Sequence, residues 1–95
     1  MKLNNSLSQL LEAIVSIENL EECESFLEDL CTFQELEKMA QRLEAAQLLS
    51  QGKTYEQVIE ETQISSTTLS RVSRSLKYGN GGYKTIIEKL KKDQL

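Results

Sequence analysis

Between Ser65 and Lys77 the chain sets the hydroxyls of Ser65, Ser66, Thr67, Thr68 and Ser70 ahead of three cations, Arg71, Arg74 and Lys77. Hydroxyls both donate and accept, and a guanidinium forks onto a phosphate or a guanine edge, so this set suits the phosphate oxygens and base edges of double-stranded DNA. The chemistry is recognition rather than turnover. The sequence has no histidine and no glycine-rich phosphate loop after a strand pattern, and its carboxylates fall on outward helix faces. Groups for acid–base or metal catalysis therefore never converge, and an enzyme is not expected. Cys23 and Cys31 stand alone. Two thiols without a histidine are too few for a closed zinc site and fit a reducing cytosol, so neither a metal nor another cofactor is expected.

Two short helices and a tight turn must position these side chains. The run TYEQVIEETQISSTTLSRVSRSLKY, Thr54 to Tyr78, has Thr54 as the N-cap of the first helix, Gln63 and Ile64 as the turn, and Ser65 or Ser66 as the cap of the second. Val58, Ile64, Leu69 and Val72 have the spacing by which two steeply crossed helices share one small core and leave the second helix's other face to solvent. That is the outline of a helix-turn-helix. It departs from the usual pattern at two positions. Gln63 stands where glycine is common, and a glutamine at positive φ costs on the order of 1 kcal/mol; Ile59 stands where a smaller residue is usual and alters helix separation.

The flanking sequence reads as helices too. Leu7, Leu10, Leu11, Ile14 and Ile17 recur at three and four residues and predict a helix over Asn5 to Ile17. Glu21 to Leu30 sets Cys23, Phe26, Leu27 and Leu30 on one side against acids on the other, a single stripe for burial. Thr32 and Glu35 form a capping box for a helix carried on by Leu36, Met39, Ala40, Leu43, Ala46 and Leu49 and stopped at Gly52. Gly79 to Gly82 breaks the second helix of the pair, and Tyr83 to Leu90 forms a last amphipathic helix. Glycine-rich turns usually only end helices, yet Tyr78 and Tyr83 at the two ends could also touch DNA or another subunit. The reading is one all-α domain over 1–95, with core and dimerisation helices over about 5–51 and 83–93 around the helix-turn-helix of 54–78. The N-terminal stretch is neither a signal peptide nor a membrane span, which makes the expected location cytoplasmic. With 39% hydrophobic residues in 95 the chain can bury only a modest core, and a dimer is expected to supply the rest.

A net charge of −4 argues at first against nucleic acid, but it averages two unlike parts. Residues 1–62 hold four cations against thirteen carboxylates, a balance of −9, whereas residues 63–92 hold seven cations against Glu88 alone, a balance of +6. Phosphate responds to the potential within about 10 Å at moderate salt, so the basic part can bind DNA while the acidic part faces away.

The capping segment at Thr32, the helix ending in LLSQG (Leu48 to Gly52), the stretch GKTYEQVIEETQISSTTLSRVSRSL and the string YGNGGYK together resemble the Trp repressor superfamily. They are most similar to its YerC/YecD-type branch of Trp-repressor-like transcriptional regulators. The resemblance covers Thr32 to Leu90, about two thirds of the chain. It implies an intertwined, all-helical homodimer whose terminal helices build a shared core and whose two reading heads face successive major grooves, roughly 34 Å apart. It assigns DNA contact to Thr67, Thr68 and Ser70 as base-edge readers, Ser66 at the helix start, Thr54 and Tyr55 as phosphate holders, and Arg71, Arg74 and Lys77 as cations.

The resemblance also implies an effector pocket. Arg42 and Arg71 match the two arginines that flank the indole in the Trp repressor itself, and Thr32 matches its pocket threonine. Val72 stands where that protein has glycine, and its branched carbons overfill the slot, so no tryptophan dependence is expected. The rival to a DNA-binding regulator, favoured by the acids Glu56, Glu60 and Glu61, is a helical dimer that serves as a protein-binding adaptor with a vestigial helix-turn-helix.

Overall fold

Most of the helices start where a side-chain oxygen takes up an amide that the first turn leaves without a partner. In the computed structural model, which describes residues 1–93, Asn4 Oδ1 accepts from the Leu7 amide at 2.8 Å and starts α1 (Asn5–Val15). Asn19 does the same for Glu22 at 2.8 Å and starts α2 (Leu20–Leu30). Thr32 and Glu35 form the expected capping box before α3 (Phe33–Ser50): the Thr32 amide donates to Glu35 Oε1 at 2.8 Å, and Thr32 Oγ1 accepts from the Glu35 amide at 3.1 Å. The Thr32 backbone N–H, with its hydroxyl second, holds the Glu35 carboxyl below the usual carboxylate range. A second box, Thr54 with Gln57, starts α4 (Tyr55–Thr62), and Ser65 caps α5 (Ser66–Tyr78) by accepting from the Thr68 amide at 3.2 Å. α6 spans Gly82–Asp93. The described residues contain these six helices and no strand, the all-α architecture that the patterning predicts. Gln94 and Leu95, the last positions of the 1–95 reading, lie outside the described residues.

Three helices differ from the sequence expectation at their boundaries. α1 stops at Val15 rather than Ile17, because the Ser16 hydroxyl donates to the Ala13 carbonyl at 2.6 Å and closes the last turn. α2 gains Leu20 through the Asn19 cap. α6 takes in Gly82 and continues past Leu90 to Asp93, so the interruption shrinks to Gly79–Gly81. Two glycines there have a physical reason. Gly81 has φ 85, and a Cβ on Gly79 would collide with the Ser75 carbonyl.

Contacts group the chain into two compact units, Met1–Leu36 and the residues from Glu37 on. The second holds the whole buried core: Ala45, Ala46, Val58, Ile64, Leu69, Val72 and Ile87. Leu43, Leu48, Leu49, Ile59 and Tyr83 pack around it. Ala45 and Ala46 of α3 are fully buried. The four residues predicted to form the small core of the α4–α5 pair are thus all buried. In the first unit the stripes on α1 and α2 have the predicted period, yet no residue of either helix is buried, and Ile14 and Leu30 are 45% and 50% exposed. Period places the side chains on one face of a helix; burial needs a surface to cover that face. No described helix is long and apolar enough to cross a membrane.

Candidate nucleic-acid interface

The side chains singled out in the sequence depend on the turn between α4 and α5. Gln63 occupies the left-handed region at φ 61, ψ 19, where glycine would sit without strain. Polar ties hold it there. Gln63 Nε2 donates to the Glu60 carbonyl at 2.9 Å, and Thr62 Oγ1 donates to the Val58 carbonyl at 2.7 Å while accepting from the Ile64 amide at 3.2 Å. From α3, Gln41 Nε2 donates to the Thr62 carbonyl at 2.9 Å. Each net hydrogen bond contributes about 1 kcal/mol, so together they offset the cost of a non-glycine residue in this conformation. Sequence reading missed Gln41 and Thr62, since their bond joins positions 21 apart and leaves no periodic trace.

With the turn fixed, α5 turns Leu69, Val72 and Ser73 inward. On its outer side Thr67, Ser70, Arg71 and Arg74 are exposed and line one open groove of about 440 Å³ that no carboxylate borders. This arrangement can offer two hydroxyls and two guanidiniums to a ligand that lies along the helix. Ser66 is exposed at the first position of α5, and Lys77 is exposed in its last turn, where a cation also complements the helix dipole. Thr54 uses its oxygen to cap α4 and keeps its hydroxyl hydrogen for an outside acceptor; Tyr55 beside it is 42% exposed.

Thr68 is separated from the other hydroxyls. It is half-buried, accepts from Ser65 Oγ at 2.9 Å, and borders hollows on the α3 side of the helix. One of these, about 420 Å³, is lined by Arg42, Thr68, Arg71, Val72, Ser75 and Tyr83. The structure therefore brings together Arg42, Arg71 and Val72 of the expected effector set, while Thr32 serves as the cap of α3. Val72 is 2% exposed and belongs to the core. Of the two tyrosines that flank the glycine-rich turn, Tyr83 packs against the core from α6, whereas Tyr78 is 83% exposed. No cluster of three or more potential metal ligands occurs among the described residues.

Comparison with known proteins bears on the family and the fold. The family model described as Trp repressor protein matches residues 5–91. The uncharacterized protein YerC of Bacillus subtilis (strain 168) is 44% identical over 88 residues, covering 93% of this chain and 85% of YerC. Among solved structures, a proposed Trp repressor from Staphylococcus aureus superposes with a TM-score of 0.89 at 40% identity, over 94% of this chain and 89% of that one. A TrpR-like protein from Eubacterium eligens ATCC 27750 gives 0.87 at 42% identity, over 92% and 90%.

Proposed function

Because the chain belongs to the Trp repressor protein family, we propose that it is a sequence-specific DNA-binding transcriptional regulator, acting as a repressor, and not an enzyme. The observation that carries this reading is the outer face of α5, where Thr67, Ser70, Arg71 and Arg74 share one groove without a carboxylate. As the second helix of a helix-turn-helix, α5 enters the major groove. Thr67 and Ser70 meet base edges there, and Arg71, Arg74 and Lys77 meet phosphates. Thr68 moves from base reader to the α3 side, in keeping with its half-buried position. Ser66, Thr54 and Tyr55 flank the contact and hold the backbone.

The working unit is a homodimer in the cytoplasm, with the DNA it reads. Supporting this are the apolar stripes of α1 and α2, none of which is buried within one chain. Two heads related by a two-fold axis read half-sites about one helical turn apart. Arg42, Arg71 and Val72 line the effector hollow of this regulator, whereas Thr32, the fourth residue expected there, caps α3. Tryptophan is not its ligand. Val72 is committed to the core, and on this reading its branched carbons take the space that a flat indole ring requires.

Selection from a random duplex library, with and without tryptophan, tests both parts. The expected result is enrichment of a two-fold symmetric site whose affinity is the same in either condition. Binding that selects no sequence and disappears near physiological salt would favour the adaptor reading. Tighter binding with tryptophan would overturn the assignment of Val72.

A further inference from the structure

Lys38 and Arg42 stand four residues apart on α3 and border a hollow of about 320 Å³ together with Gln41, Ser65 and Thr68. Residues at that spacing share one helix face, so both cations approach the same space. The lining comprises two positive charges, an amide and two hydroxyls, with no carboxylate, in a chain that carries 15 acids. Its members have distinct uses. Gln41 Nε2 gives one of its two hydrogens to the Thr62 carbonyl, and the Thr68 amide donates to Ser65 Oγ, so the remaining polar capacity rests mainly on the side chains of Lys38, Arg42 and Thr68. Ser65 Oγ donates to Thr68 Oγ1 at 2.9 Å, which leaves the Thr68 hydroxyl hydrogen as a donor. Arg42 is half-buried, which limits its rotamers before anything binds, and Lys38 is exposed at the rim. A planar fork, a mobile ammonium and a hydroxyl donor match a tetrahedral oxyanion, which presents several oxygens at once.

We infer that this hollow is an oxyanion site that holds a phosphate group between Lys38 and Arg42, with Thr68 donating a third bond. It is separate from the effector hollow, which it meets only at Arg42 and Thr68. The phosphate has two sources. One is the DNA backbone beside the base pairs read by Thr67 and Ser70, and this source rests on the DNA-binding reading; α3 then adds a clamp to the two helices of the head. The other is a free phosphorylated small molecule, which would engage Arg42 and Thr68 on the wall shared with the effector hollow.

The test uses the full chain, its Lys38→Gln and Arg42→Gln variants, and Arg74→Ala as a reference on the outer face. In one arm inorganic phosphate is titrated at constant ionic strength while NMR follows the Thr68 amide. In the other, affinity for random-sequence duplex is measured over a salt series. If the phosphate belongs to DNA, each α3 variant weakens binding several-fold and makes the log–log salt slope shallower by about 0.9, the value for one lost phosphate contact, as Arg74→Ala does. If it is free, saturable phosphate shifts appear at Thr68 and vanish in both variants, with the duplex slope unchanged. The proposal is overturned if the slopes of both variants equal that of the wild type and phosphate causes no shift at Thr68. Should the wild type bind no duplex, the DNA reading fails by itself, and the phosphate arm alone decides the proposal.

Discussion

Leu69 and Ile14 both lie on helical stripes of period three to four, yet Leu69 is fully buried and Ile14 is 45% exposed. The difference extends to their surroundings. From Glu37 on, a core of seven hydrophobic residues is assembled from α3, α4, α5 and α6 and the α4–α5 turn, and it fixes the helix whose outer face carries hydroxyls and arginines. Before that point, α1 and α2 carry stripes of similar quality and bury none of them. An amphipathic pattern states which face of a helix avoids water; it does not state which molecule supplies the cover. In this chain one region answers the question within itself; for the other, the proposed homodimer assigns the cover to a second copy.

Three substitutions would break or sharpen that contrast. The largest effect belongs to the self-contained region. Leu69→Ala removes a fully buried side chain and should lower unfolding free energy by about 2–5 kcal/mol in urea, since little can collapse into the space. A loss below that of an exposed leucine would mean the core is not where the structure puts it. Next comes Ile14→Ser. It should weaken self-association by about 1.5–3 kcal/mol per chain, seen in sedimentation as a dimer that dissociates at higher concentration than the wild type. An unchanged distribution would remove α1 from the interface. The smallest is Gln41→Leu, which cuts the tie to the Thr62 carbonyl and should cost about 0.5–1.5 kcal/mol. Its signature is faster amide exchange at Ile64, next to the strained Gln63, with α1 unaffected. Equal acceleration along the whole chain would make Gln41 an ordinary stabilising residue.

Much of this was legible in the residues. Capping oxygens at Thr32 and Thr54 and the spacing of Val58, Ile64, Leu69 and Val72 are local signals, and the helices and the small core followed from them. The outer groove was legible in part: Thr67, Ser70, Arg71 and Arg74 share it, but Thr68 turns away because, one residue before the buried Leu69, it lies on the flank of α5 that looks toward α3. Tyr83 and Gln41 were not legible as members of the site. Each reaches it from another helix, and contacts of that kind depend on tertiary geometry that no periodicity encodes.

The measurement that bears most directly on the account is an NMR footprint of the dimer on a duplex taken from the library selection. The account predicts shifts concentrated on the outer face of α5, at Ser66, Thr67, Ser70, Arg71 and Arg74, with α1 and α2 unchanged. Shifts centred on the acidic helices before Leu36, or spread evenly without a maximum on α5, would contradict it.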